Sequence, residues 1–77
     1  MKVTFKRDRS ETTTDTFVWK SCDFDSWIDR AAVRLKIQEK LPNAYVGEYN
    51  DTVAVILSTE EDDAEFVMLA SAGAFDL

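Results

Sequence analysis

Histidine is absent from the chain, and with it the usual general base and the commonest metal ligand near neutral pH. Nucleophile arrangements of the Ser-His and Cys-His kind are therefore excluded. The single cysteine, Cys22, rules out an internal disulfide and suits a reducing, cytoplasmic compartment. With only Gly47 and Gly73, the chain has no glycine-rich cradle for phosphate, so no nucleotide cofactor is expected. Long apolar runs are missing too. None exceeds the five residues of Val53 to Leu57, and the opening MKVTFKRDRS has no apolar core of the signal-peptide kind, so neither membrane spanning nor export is expected. The Asn50-Asp51-Thr52 triplet fits the N-glycosylation pattern by coincidence in that setting.

The last deficit is of one charge sign. All 9 basic residues lie at or before Lys40, where they meet seven acids; residues 41–77 carry eight acids and no base. The chain has a mildly basic half and a strongly acidic half, with a net charge of −6.

What is present favours one small folded domain spanning 1–77. The apolar content of 45% and aromatic content of 12% exceed those of disordered chains. At 77 residues only about 60% of the unfolded chain's surface is buried on folding, so self-association is a reasonable source of added stability.

The stretch Phe24 to Leu41 has the clearest period. Phe24, Trp27, Ile28, Ala31, Ala32 and Leu35 recur at helical steps and read as its main core face, with Val33, Ile37 and Leu41 as a second, narrower stripe. Asp23 is placed to cap this helix, and Asp25 and Asp29 set negative charge near its positive end. Lys36 and Lys40 set positive charge near the other end, and Pro42 ends it.

Upstream, Met1 to Arg7 alternates as a half-buried strand, with Val3 and Phe5 on one side. A polar loop over Arg7 to Thr14 then leads to a strand from Asp15 to Lys20, with Phe17 and Trp19 inward. Downstream, Ala44 to Tyr49 and Thr52 to Ser58 read as a hairpin about Asn50 and Asp51, the second strand apolar on both faces and so central. In the final segment, Ser58 or Thr59 followed by Glu61 or Asp62, with Gly73 beyond, makes a helix start and stop. A loop over TEEDD with a strand from Glu65 to Ser71 competes with that helix. The order ββαββα predicts an α+β two-layer sandwich: a four-stranded antiparallel sheet with two helices on one face.

No constellation of catalytic or metal-ligating residues emerges. Cys22 at the helix entry is the one nucleophile candidate, but Asp23, Asp25 and Asp29 oppose a thiolate there. The acids Glu60, Glu61, Asp62, Asp63 and Glu65 lack the alternating ligands and central glycine of a calcium loop. No enzyme activity, cofactor or metal is expected.

The expected role is a non-catalytic interaction module, a regulator or inhibitor that binds a basic protein. Its contact residues would be Glu48, Asp51, Glu60, Glu61, Asp62, Asp63 and Glu65. In composition the chain is similar to small acidic inhibitor proteins, among them those that phages direct at host nucleases and DNA-binding proteins; no motif accompanies that likeness. Met68, Leu69, Phe75 and Leu77 are the expected self-association patch of a homodimer. The alternative is a nucleic-acid-binding regulator using the basic strands Lys2 to Arg9 and Lys20, with strand aromatics to stack on bases.

Overall fold

Ser26, rather than Asp23, starts the long helix in the computed structural model, which describes residues 1–77. Its backbone is extended, and its hydroxyl accepts from the Ile28 amide, which satisfies one free donor of the first turn. Asp23 is drawn elsewhere: its carboxylate accepts from the Thr4 amide at 2.9 Å and so ties the N-terminal segment to the helix entry. The elements in order are β1 (Lys6–Arg7), β2 (Phe17–Ser21), α1 (Trp27–Lys40), β3 (Tyr45–Tyr49), β4 (Thr52–Leu57) and α2 (Glu60–Ser71).

All strand pairs are antiparallel, and the spatial order is β1-β2-β4-β3. The ladder places β4 between β2 and β3, as its two apolar faces require. Directly paired residues share a face. Phe17, Trp19 and Ser21 of β2, Val53, Val55 and Leu57 of β4, and Val46 and Glu48 of β3 therefore lie together on the helix side. On the open side are Lys6, Lys20, Ala54, Ile56, Tyr45 and Tyr49.

The first strand is shorter than the alternation of Met1 to Arg7 suggests. The alternation persists, with Val3 buried and Lys2 and Thr4 exposed, but only Lys6 and Arg7 join the ladder. Upstream amides take other acceptors: Thr4 uses Asp23, and Val3 uses the Asp76 carboxylate at 2.8 Å. The Leu77 amide donates to the Met1 carbonyl, so the two ends of the chain lie side by side.

The final segment is a helix and not a fifth strand. Thr59 caps it by accepting from the Asp62 amide at 3.0 Å, and Gly73 beyond its end takes φ 79°, where a side chain would be strained.

On α1 the structure reverses the order of the two apolar stripes. Val33 and Ile37 are fully buried and Leu41 is buried after them, while Trp27, Ile28 and Leu35 are 68%, 59% and 61% exposed. The i+4 row from Val33 through Ile37 to Leu41 faces β3 and β4, and one core joins it to Val46, Val53, Val55, Leu57, Phe66 and Phe75. Of the expected main face, only Phe24 is buried, and it lies before the helix begins.

α2 attaches through less. Phe66 is its one fully buried residue, ringed by Phe5 at 5.1 Å, Phe75 at 5.6 Å and Trp19 at 5.7 Å between centroids. Such edge and stacked pairs add about 0.5–1.5 kcal/mol each beyond area burial.

The reversal of the α1 stripes is testable by paired truncations. Ile37→Ala should lower unfolding free energy by about 2–4 kcal/mol, and Leu35→Ala by less than about 0.5 kcal/mol, in urea titrations followed by circular dichroism. Equal losses would mean that Leu35 is packed.

Candidate interaction surfaces

The first turn of α2 is acidic because negative charge is favoured at the positive end of a helix. That rule explains the residue types, and the packing then separates their fates. Asp63 lies one turn before Phe66 on the same helix face and is turned inward. One of its oxygens stands 2.7 Å from the Arg7 guanidinium, and the other accepts from the Trp19 indole N–H at 2.7 Å. The guanidinium in turn lies over the Trp19 and Phe17 rings, at 5.0 Å and 5.4 Å from their centroids. Asp63 is thus a clamp between α2 and the β1–β2 edge, with a side chain only 14% exposed, and it is not available to a partner.

Glu60, Glu61 and Glu65 are exposed, and Asp62 is half-buried; none of the four forms an ion pair within the chain. Glu61, Ala64, Glu65 and Met68 follow one another at i, i+3, i+4 and i+7, so they line one outward face of α2. Met68 is 62% exposed on that face.

The remaining two acids of the expected surface stand apart. Glu48 is 3.1 Å from Arg34, and Asp51, at the β3–β4 turn, is 3.9 Å from Arg30. The whole of β4 separates Asp51 from Glu60, roughly 20 Å at a strand's rise per residue. The seven acids therefore form no single face.

The expected self-association patch is likewise divided. Phe75 is stacked on Phe66 and 1% exposed, and Leu69 packs against the core. Only Met68 and Leu77 of the four are exposed. The largest exposed apolar side chains are instead Trp27, Ile28 and Leu35 on α1 and Tyr45 and Tyr49 on β3. Sequence reasoning missed the three on α1 as surface. The signal was Leu41, which extends the Val33–Ile37 row to the helix end and so marks the core side.

The basic strands bring together less free charge than their composition suggests. The β1–β2 loop folds back on itself, with Thr12 accepting from Val18 and donating to the Asp8 carbonyl. This puts the Lys20 ammonium 2.6 Å from Asp8 and 3.0 Å from Glu11, and 5.7 Å above the Tyr49 ring. Lys20 and Ser10 hold the Asp8 carboxyl at a pKa of about 2, and Asp8, then Tyr49 and Glu11, hold the Lys20 ammonium well above its ordinary range. An open cleft of about 660 Å³ beside this loop is lined by Thr4, Lys6, Arg9, Lys20, Cys22 and Asp23, among others. In it, Lys6 and Arg9 have no carboxylate within ion-pair distance. Phe5, Phe17 and Trp19 are inward and packed against the core, so only Tyr45 and Tyr49 remain on the open face to stack on a ligand.

Cys22 is exposed, 3.4 Å from the Thr52 hydroxyl. No three carboxylate or thiol side chains group together as metal ligands, and no helix is long and apolar enough to cross a membrane. Compared with known protein families, curated proteins and solved structures, the chain matches none.

Two outcomes follow from these ion pairs. Asp63→Ala leaves both a guanidinium and an indole N–H without their acceptor, and should cost about 2 kcal/mol in urea unfolding, with Asp63→Asn recovering part of it through the Trp19 bond. The Asp8 pair sets an acid limb. Its folded pKa lies below the ordinary 3.8, so its stabilisation is complete above pH 3.8 and lost as pH falls towards 2. Asp8→Asn should flatten the stability profile in that window while leaving the limb of the other carboxylates; an unchanged profile would show that the pair contributes nothing to folding.

Proposed function

We propose that the protein is a non-catalytic interaction module that works as a homo-oligomer and recognises a basic protein through the outward face of α2. The observation that carries this reading is the row Glu61, Glu65 and Met68, with Glu60 beside it: exposed acids without internal counter-ions, around an exposed thioether. Arg7, Lys20, Arg30 and Arg34 are paired with acids, whereas Glu60, Glu61, Asp62 and Glu65 stand without a counter-ion close together on one helix. Unmatched surface charge steers an oppositely charged partner and sets its orientation, and a flexible apolar side chain within the charged row provides the desolvated contact. The roles of regulator and inhibitor both fit a module of this kind, since each needs only a stable, charge-specific contact.

A second reading has its own observation. Lys6 and Arg9 border the open cleft, and Tyr45 and Tyr49 are exposed on the same face of the sheet, which is the arrangement of a single-stranded nucleic-acid platform. The locking of Lys20 by two carboxylates and the net charge of −6 weaken it.

The experiment is an affinity column of the wild-type chain beside one carrying Glu60→Gln, Glu61→Gln and Glu65→Gln, loaded with the same cell extract. The expected result is a basic protein that binds the first column, elutes as salt is raised, and binds the second at least about tenfold more weakly. Equal retention on both columns sinks the reading, as does a turnover that requires Cys22. Nucleic acid co-purifying with the wild-type chain and released by salt would favour the second reading.

A further inference from the structure

We infer that the outer edge of β3 is the seam of a two-fold homodimer in which two sheets join into one of eight strands. This rests on the self-association named above, and it moves the contact away from the C-terminal residues. The direction of the backbone groups comes first. The Val18 carbonyl accepts from the Asp8 amide, so Val18 and Lys20 direct their hydrogen-bonding groups at β1, and Phe17, Trp19 and Ser21 direct theirs at β4. Alternation carried across the sheet leaves Thr52, Ala54 and Ile56 bonding to β3, and Val46 and Glu48 with N–H and C=O turned outward. These groups have no partner strand.

Edges of this kind are normally blunted by lysine, proline, a bulge or brevity. The other edge, β1, has all but the proline and the bulge: it is two residues long and both are basic. β3 is five residues with no lysine or proline. Its sequence also reads almost the same in both directions: Tyr45, Val46, Gly47, Glu48, Tyr49. An antiparallel pairing centred on Gly47 places Val46 opposite Glu48 of the second copy, where their outward groups bond. It places Tyr45 opposite Tyr49 of the second copy on the open face. Gly47 meets itself at the centre, where its lack of a side chain leaves room for the tyrosines; the Tyr45 ring already lies over it, 3.5 Å from where a Cβ would stand.

α1 supplies the second half of the seam. It lies over β3 and β4, and its Arg30 and Arg34 reach Asp51 and Glu48, so that flank faces the β3 side. Trp27 is on the same flank and 68% exposed. Strands pair ~4.8 Å apart and helices pack at ~8–10 Å, so a helix lying between the two outermost strands of that side, β3 and β4, comes within packing distance of its own copy across that edge. Charge favours a second copy here more than elsewhere on the chain. Glu48, the only acid in β3, is matched by Arg34, and the unmatched acids of α2 lie over the other half of the sheet.

The test combines two substitutions at the two-fold centre with mass measurement. Gly47 is outside the left-handed region and an added Cβ meets only ordinary contacts with the Tyr45 ring, so the strand backbone accommodates a side chain there. The wild type should run as a dimer by light scattering, and Gly47→Lys should weaken the dimer at least about tenfold while circular dichroism is unchanged, since two ammonium groups would meet at the axis. Gly47→Cys with Cys22→Ser should give a disulfide-linked dimer with oxidised glutathione, because residues opposed in a non-bonded antiparallel pair have Cα atoms ~4.5 Å apart, within disulfide reach. Trp27→Glu, remote from the strand, should also weaken the dimer. A wild-type monomer overturns self-association itself. A dimer that survives Gly47→Lys and does not cross-link through Gly47→Cys overturns only this seam.

Discussion

The attachment of α2 to the sheet depends on two side chains one turn apart, Phe66 and Asp63. Phe66 fills the space between Phe5, Trp19 and Phe75, and so joins the N-terminal segment, β2 and the C-terminal segment in one ring cluster. Asp63 then fixes the rotation of the helix about its axis by accepting from Trp19 and pairing with Arg7. Because the helix buries so little else, its hydrophobic contact alone would permit several angles of packing. A carboxylate held by two donors at a defined separation selects one of them. The same lock orders the sheet edge, since Arg7 is half of β1 and lies over Phe17 and Trp19.

The fold class, the order of elements, the central position of β4 and the helical state of the last segment were legible in the sequence. Each rested on a local signal with a mechanism: alternation in β2, two apolar faces in β4, and Thr59 with acids behind it in α2. The orientation of α1 was not legible, for a physical reason. The helix is apolar on two sides, and side-chain size alone favours Trp27, Ile28 and Leu35 as the buried stripe. In the fold the β-branched row of Val33 and Ile37 joins the valines of β3 and β4 in one core. A helix flank is chosen by its neighbour, and the neighbour's shape is not written in the helix.

The acidic surface shows the same limit. Composition identified an excess of carboxylates in the second half but could not distinguish those that serve the fold, such as Asp63 and Asp76, from those that face solvent. Asp62 and Asp63 are adjacent and chemically alike, and at 100° per residue they fall about 40° and about 60° to opposite sides of Phe66. Only Asp63 falls on the side that carries Arg7 and Trp19. A reading of acids as a single patch fails whenever a strand intervenes, as β4 does between Asp51 and Glu60.

The distribution of partnered and unpartnered groups gives the molecule its polarity. On the β1 side, the exposed edge is short and basic, and its loop is tied down through Asp8, Glu11 and Lys20. On the β3 side, the strand is longer, the backbone groups are free, and the helix above it exposes a tryptophan. A sheet only four strands wide, with a core this small, leaves much of its stabilising surface unused at whichever edge is not blunted. The same side holds the Arg34–Glu48 and Arg30–Asp51 pairs. Free backbone hydrogen-bonding groups and exposed apolar area coincide there, and the proposed homodimer seam rests on that coincidence.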